Sequence, residues 1–399
     1  MSLNNTPSSE RLHIGFFGLR NAGKSSVVNA VTNQELSVVS DILGTTTDPV
    51  KKAMELLPLG PVVIIDTPGL DDEGTLGEMR VQKAKEVLAK TDIAILVVDA
   101  QKGKSDLDEE LLKIFNERKL PHIVVYNKTD LIAEKSELKD NEIYVSAQTK
   151  ENINELKELI AKVSKLSKNQ KPLVSDLLTE GDIVVLVIPI DEAAPKGRLI
   201  LPQQMVIRDI LDHHCMCICT QVEQLTATLN SLSKKPKLVI TDSQAFGKVS
   251  KLTPSDITMT SFSILMARYK GDLKSLINGA AQLSEIKTGD KILIAEGCTH
   301  HRQCNDIGTV KMPAWIENFT NAKPQYTFTS GGTFPEDLSQ FKLIVHCGGC
   351  MLNEKEMKAR MQKADAQNIP IVNYGVAIAH MHGILKRSLA PFPDILKLL

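Results

Sequence analysis

Aromatic residues are scarce in this chain: they make up 4% of 399 positions, with one tryptophan, Trp315. A stacking platform for single-stranded nucleic acid needs several rings, so that function is not expected. An excess of one charge is also lacking. Lysine and arginine total 47 against 48 aspartates and glutamates, for a formal net charge of −1. That balance speaks against a bulk nucleic-acid binder and against a polybasic membrane surface. No run of about eighteen apolar residues occurs, so no membrane span is expected. The opening MSLNNTPSSER has no basic stretch followed by an apolar one, so no signal peptide is expected and the default location is cytoplasmic. Internal repeats and low-complexity tracts are absent. In a reducing compartment the seven cysteines read as metal ligands or core residues before they read as disulfides.

What is present is a repeated alternation of short apolar runs with helical patterns. LHIGFFG, VVIIDTPG, IAILVVDA, HIVVYNK and EIYVSA are brief and β-branched, as the buried strands of a parallel sheet are, and helical stretches separate them. The length exceeds what one core usually serves. The expected fold is α/β in three parts: 1–170, closed by the polar, lysine-rich VSKLSKNQKP; a small α/β module over 175–255; and a further α/β layer over 256–399. In the second part GDIVVLVIPI, HCMCICT and KLVITDS read as strands and PQQMVIRDILDHH as a short helix. In the third, Ile257–Leu283 reads as helical, with strands at KILIAEGC, FKLIVHCGGC and IPIVNYG.

Gly18–Ser25 fits G-x-x-x-x-G-K-[ST] between an apolar strand and a helical pattern. In that context Gly23 and its neighbours let backbone N–H groups wrap phosphates, and the helix N-terminus adds favourable partial charge. Lys24 reaches the β/γ-phosphates and the Ser25 hydroxyl binds Mg²⁺; Ser26 joins the phosphate-binding set. Asp66, at the end of VVII, can hold Mg²⁺ through water, and the Gly69 N–H can sense the γ-phosphate. Asn127-Lys128-Thr129-Asp130 ends HIVVY, where Asp130 can accept from N1–H and N2–H₂ of guanine. Ser146 and Ala147 follow EIYV, with a backbone N–H near Ala147 to read O6. Together, in this order and each at a strand end, these motifs select GTP over ATP.

Residues 12 to about 165 resemble the Era and MnmE branch of translation-factor-related GTPases. Gly44–Asp48 is similar to that branch's first switch, GTTxD, which implies a Mg²⁺-binding role for Thr46. Leu70 stands where a Ras-like enzyme keeps its water-orienting glutamine. Asn21 occupies the position of a K⁺ ligand in potassium-activated members; the alternative is a loop residue bonding only to backbone. The resemblance implies slow intrinsic hydrolysis, faster in K⁺ than in Na⁺.

Cys298 and His300 follow one strand in the third part, and His346, Cys347 and Cys350 follow another. Adjacent strand ends of an open α/β sheet share a crevice. A helix pattern beginning near Asn353 would aim N–H groups at an anionic centre there. Three readings stand side by side: a structural Cys₃His zinc site, an iron–sulfur cluster, and buried cysteines with no metal. For a [4Fe–4S] cluster, three cysteines leave one position to Glu296, His300, His346 or solvent.

A GTPase of this branch joined to C-x-H, then 45 residues, then H-C-x-x-C resembles the HydF family of [FeFe]-hydrogenase maturation GTPases. Pro189–Gln203 is similar to that family's dimerisation domain. The resemblance implies a [4Fe–4S] cluster on Cys298, Cys347 and Cys350. It implies a scaffold or carrier role for a transient diiron precursor, with radical S-adenosylmethionine maturases as suppliers and apo-[FeFe]-hydrogenase as recipient. It also implies a homodimer. His301 and Cys304 remain unassigned.

Other polar residues read as structural. Cys215, Cys217 and Cys219 alternate, sharing one face of a strand as core or interface packing. His213, His214, His380 and His382 read as strand-end or helix-side residues, and Lys83, Lys85 and Glu86 as a solvated helix face. Two rival functions are an RNA-related GTPase with a structural zinc and an interaction scaffold with a vestigial nucleotide site. Overall neutrality speaks against the first, and the set Lys24, Ser25, Thr46 and Asp66 against the second.

Overall fold

A computed structural model describes residues 6–34, 50–67, 86–167, 171–190, 199–297, 306–397 and 399. The expectations for Thr46, Gly69, Leu70, Lys83, Lys85, Cys298, His300, His301, Cys304 and most of Pro189–Gln203 fall outside these residues. The chain divides into two compact units, Met1–Gln170 and Lys171–Leu399.

The first unit is built on six strands: β1 (Leu12–Phe17), β2 (Val50–Leu56), β3 (Gly60–Asp66), β4 (Ile93–Asp99), β5 (His122–Asn127) and β6 (Glu142–Tyr144). Their order is β2-β3-β1-β4-β5-β6. All neighbours are parallel except β2 and β3. Alternating residues feed two cores, so both faces are covered and the central strands need be apolar throughout. Ile14, Phe16, Ile95 and Val97 meet Val27 and Val31 of the helix Lys24–Thr32 and Leu156 and Ile160 of the helix Ile153–Ser167. Phe17, Leu96 and Val98 meet Leu112 and Phe115 of the helix Asp106–Glu117. That last helix starts at a capping box, in which Ser105 and Asp108 each bond the other's backbone N–H. β2 was not expected: VKKAMEL is charged and largely exposed because it lies at the sheet edge.

The second unit carries two four-stranded sheets. One contains β7 (Ile183–Val187), β8 (Met216–Thr220), β9 (Leu238–Thr241) and β10 (Thr258–Ser261), in the order β10-β9-β7-β8. The other contains β11 (Lys291–Ala295), β12 (Gln325–Thr329), β13 (Leu343–His346) and β14 (Ile371–Asn373), in the order β12-β11-β13-β14. Every pairing in both is parallel. A single core joins them, from Leu186 and Ile240 of the first sheet through Phe262 and Leu265 to Ile292 and Ile344 of the second.

The helical expectation over Ile257–Leu283 is corrected at its start. Thr258–Ser261 pairs with β9, and the helix begins at Phe262. Two threonines around the buried Met259 suit a strand, and the Ser261 hydroxyl accepts the Ile264 N–H as a helix cap. β12 was also missed. QYTFT is a polar, half-exposed edge without a continuous apolar run.

Candidate functional site

The nucleotide motifs gather at the C-terminal edge of the first unit's sheet, where β1, β3, β4 and β5 end. Gly23 caps the helix Lys24–Thr32 at φ 87°, and a Cβ there would sit 2.2 Å from Asn127 Nδ2. Both the left-handed backbone and the space exclude a side chain, leaving a loop whose N–H groups can approach a phosphate. The buried Lys24 ammonium donates to the carbonyls of Gly18 (3.0 Å) and Leu19 (2.8 Å). Ser25 Oγ donates to Asp66 Oδ2 at 2.8 Å, which joins the two Mg²⁺ candidates, one from the first turn of the helix Lys24–Thr32 and one from the end of β3. Ser26 is half-buried beside it, and Asn21 is exposed at φ 60°. Phe16 O accepts both the N–H (3.2 Å) and the hydroxyl (2.6 Å) of Thr67, which fixes the end of β3 against β1.

Asn127 fastens the base-binding side. Its Nδ2 donates to Ala22 O at 3.1 Å and its Oδ1 accepts from Ala147 N at 3.1 Å, so one buried amide ties together three loops. Ser146 Oγ donates to Asp130 Oδ1 at 2.5 Å and also accepts from Thr149 N. Asp130 itself is exposed at the surface, where a base could reach it. Lys128 pairs with Asp99 Oδ2 at 2.6 Å. Asp99 ends β4 and was missed in the sequence, because its role depends on the register of β4 against β5. The donor and acceptor set fits guanine nucleotide with Mg²⁺: a phosphate loop cleared of side chains, a hydroxyl and carboxylate in contact, and a braced aspartate.

In the second unit His346 ends β13, Cys347 and Cys350 lie in the turn that follows it, and Glu296 follows β11, the strand paired with β13. Cys347 Sγ accepts N–H groups from Gly297 (3.1 Å) and Gly349 (3.4 Å). Gly297 is the residue before Cys298 in the sequence. Gly349 takes φ 62°, which turns its N–H back on the sulfur. Donors aimed at sulfur favour the thiolate that binds metal, so the described residues fit thiolate ligation. Both donors come from the strand-end loops. The helix expected to begin near Asn353 runs over Glu354–Ala366, and Asn353 Oδ1 accepts the Glu356 N–H as its cap.

His346 is fully buried. Its Nδ1 lies 2.8 Å from Cys347 O, and its Nε2 lies 3.1 Å from Arg360 Nη1. Arginine cannot accept a hydrogen bond, so Nε2 is the acceptor and Nδ1 carries the proton. Burial first, and then the Arg360 charge, push the imidazole down to about 4. With both nitrogens engaged, ligation by His346 requires breaking one of these bonds. Arg360 also donates to Gly331 O (2.7 Å) and Glu356 Oε1 (3.2 Å) and lies over the Phe334 ring. The buried Glu296 accepts from Tyr374 OH at 3.3 Å, and burial, then Glu296, hold that phenol far above its ordinary value.

The remaining cysteines and histidines lie elsewhere. Cys215 is buried and bonds to the Thr179 carbonyl, while Cys217 and Cys219 lie on the edge strand β8 with their thiols raised by burial. His213 bonds to Asp209 O. His380 and His382 lie edge-on to Phe319 and Trp315. Glu86 is exposed. Among the described residues, no helix is long and apolar enough to cross a membrane, and no three histidine, cysteine or acidic side chains meet as a complete metal site.

Three family models match this chain. A hydrogen maturase F dimerization domain matches residues 173–271, a hydrogen maturase F tetramerization domain matches 274–391, and a 50S ribosome-binding GTPase model matches 13–128. Among curated proteins, GTPase Der of Mycoplasmopsis pulmonis is 32% identical over 202 residues, covering 45% of this chain and 46% of that protein. The tRNA modification GTPase MnmE of Legionella pneumophila is 36% identical over 158 residues, covering 39% and 35% respectively. The chain thus spans less than half the length of these relatives. The solved structure of Aquifex aeolicus Era bound to GDP·AlF₄⁻ aligns at TM-score 0.35 and 21% identity, over 52% of this chain and 91% of that one. The first unit is a P-loop GTPase domain, and the regions that follow it match two oligomerisation domains.

Proposed function

Because the chain belongs to the hydrogen maturase F family, two of whose domain models cover more than half of it, we propose that it is a GTP-hydrolysing maturase that holds an iron–sulfur cluster and carries a diiron precursor to apo-[FeFe]-hydrogenase. The first unit hydrolyses GTP. Lys24 faces the β/γ-phosphates, Ser25 with Asp66 and Thr46 hold Mg²⁺, and the loop N–H groups around Gly23 and Gly69 take up charge on the γ-phosphate. Bound Mg²⁺ neutralises the phosphate oxygens. Asp130, braced by Ser146, selects guanine, and Ala147 N is oriented by Asn127. With Leu70 in place of a glutamine, Asn21 would hold a K⁺ whose charge could speed hydrolysis.

In the second unit, residues 175–255 serve dimerisation and 256–399 hold the cluster on Cys298, Cys347 and Cys350. The single observation that carries this reading is the Cys347 sulfur. It receives one N–H from its own loop and one from Gly297, so the loops after β11 and β13 converge on it. A [4Fe–4S] cluster held by these three cysteines would supply an iron with an exchangeable position for the precursor. His346, engaged on both nitrogens, supports the loop, which leaves the fourth position to Glu296, His300 or solvent. Radical S-adenosylmethionine maturases supply the precursor, and the compartment is the reducing cytoplasm.

The test is activation of apo-[FeFe]-hydrogenase in a defined mixture of this chain, the radical S-adenosylmethionine maturases and GTP. Wild type restores hydrogen evolution and Cys347→Ser does not, while both hydrolyse GTP equally. Equal activation by the two proteins would remove the cluster from the mechanism.

A further inference from the structure

Lys270 ends the helix Phe262–Lys270 and is 2% exposed. An ammonium leaves water at high cost unless its donors find acceptors. Here Nζ lies 2.9 Å from Leu352 O, 3.2 Å from Cys350 O and 3.5 Å from Gly349 O. All three carbonyls belong to the turn that bears Cys350. That turn includes Gly348 and Gly349, so its own backbone does little to fix its shape. The helix beneath it is rigidly placed. It starts at the Ser261 cap and buries Phe262, Ile264, Leu265 and Met266 in the core shared by both sheets. At the start of the segment Arg360 holds His346. Buried cations therefore contact both ends of the segment from His346 to Leu352.

We propose that Lys270 is a positioning residue for the cluster: its carbonyl bonds set the turn that presents Cys350, and its charge favours the reduced cluster and raises the reduction potential. The inference rests on the cluster reading above. Reduction adds one electron to the cluster, from dithionite through mediator dyes, and moves no proton. A unit positive charge stabilises that added negative charge. At about 10 Å and an effective dielectric near 20, it shifts the reduced-to-oxidised ratio roughly tenfold.

The experiment compares wild type, Lys270→Gln and Lys270→Arg after anaerobic reconstitution. The readouts are iron content and a redox titration followed by electron paramagnetic resonance. Glutamine keeps N–H donors for the carbonyls and removes the charge. At a fixed potential its reduced-to-oxidised ratio should fall about tenfold, which is about 59 mV for a one-electron couple. Arginine should stay within about threefold of wild type. Melting of the metal-free proteins, followed by Trp315 fluorescence, shows which variants fold. If the glutamine variant does not, Lys270→Met takes its place. A folded neutral variant that loses most of its iron, with iron restored by arginine, also supports the proposal. A neutral variant with full iron and the wild-type midpoint overturns it. A wild-type chain that takes up no iron overturns the cluster reading itself, and this inference with it.

Discussion

Asn127→Ala tests the nucleotide site where its geometry is most specific. The amide bonds Ala22 O on the phosphate loop and Ala147 N on the loop after β6, each at 3.1 Å, from a side chain that is 2% exposed. Truncation leaves a buried carbonyl and a half-buried N–H without these partners. A buried polar group left unmade costs about 1–3 kcal/mol, and the Ala147 N–H, closer to solvent, falls at the low end. The sum is about 2–4 kcal/mol, carried by the loops that must be in place for nucleotide to bind. About 2 kcal/mol of that in binding is a loss of roughly thirtyfold in affinity. Asn127→Asp keeps an acceptor for Ala147 N but turns a carboxylate oxygen toward Ala22 O, so its loss should be at least as large. Titration with a fluorescent GDP analogue, in excess Mg²⁺ and K⁺, measures this directly. Preference for guanine over xanthine should survive, because Asp130 and its Ser146 brace are untouched. An alanine variant that binds within threefold of wild type would refute the bracing argument.

Three further outcomes are expected. GTP turnover should be several-fold faster in potassium than in matched sodium buffer, and Asn21→Ala should erase the difference; equal rates in wild type would remove K⁺ from the mechanism. The metal-free second unit should lose stability in acid through His346. Its folded value near 4 lies below the ordinary 6.5. The unfolded chain therefore binds the proton first, and stability present above about 6.5 is lost as pH falls toward 4. Between pH 7 and pH 5 that is about 2 kcal/mol, read by urea unfolding on Trp315 fluorescence. A wild-type loss no larger than that of His346→Gln would contradict the assignment. Finally, cyanide or imidazole added to the reduced cluster should change its electron paramagnetic resonance signal, because three cysteines leave one iron exchangeable. An unchanged signal would mean a closed site.

The parts legible in the sequence are those where local pattern and burial agree. Val62–Asp66, Ile93–Asp99 and His122–Asn127 are continuous apolar runs ending in a polar residue, and each is a central strand with that residue at the site. The motifs at Lys24, Asp66, Asn127 and Ser146 carry their chemistry in adjacent residues, so they could be read before any fold was known. Edge strands were not legible: the charged β2 and the polar β12 lack the buried run that marks a strand. β10 was hidden in a stretch whose apolar content suits a helix equally well. The supports of the cysteine loop were the least visible. Lys270 and Arg360 each sit on a helix where a basic residue ordinarily faces water, and only tertiary packing buries them beside Cys350 and His346. Gly297 gave no sign that its N–H would meet a sulfur fifty residues on.

The central claim is that the thiolates of Cys298, Cys347 and Cys350 hold an iron–sulfur cluster in a GTPase of this family. Anaerobic purification with iron, sulfide and zinc quantified on one sample tests it most directly. The account predicts about four iron and four sulfide per chain, lost in Cys347→Ser and in Cys350→Ser. Stoichiometric zinc without iron or sulfide would contradict it.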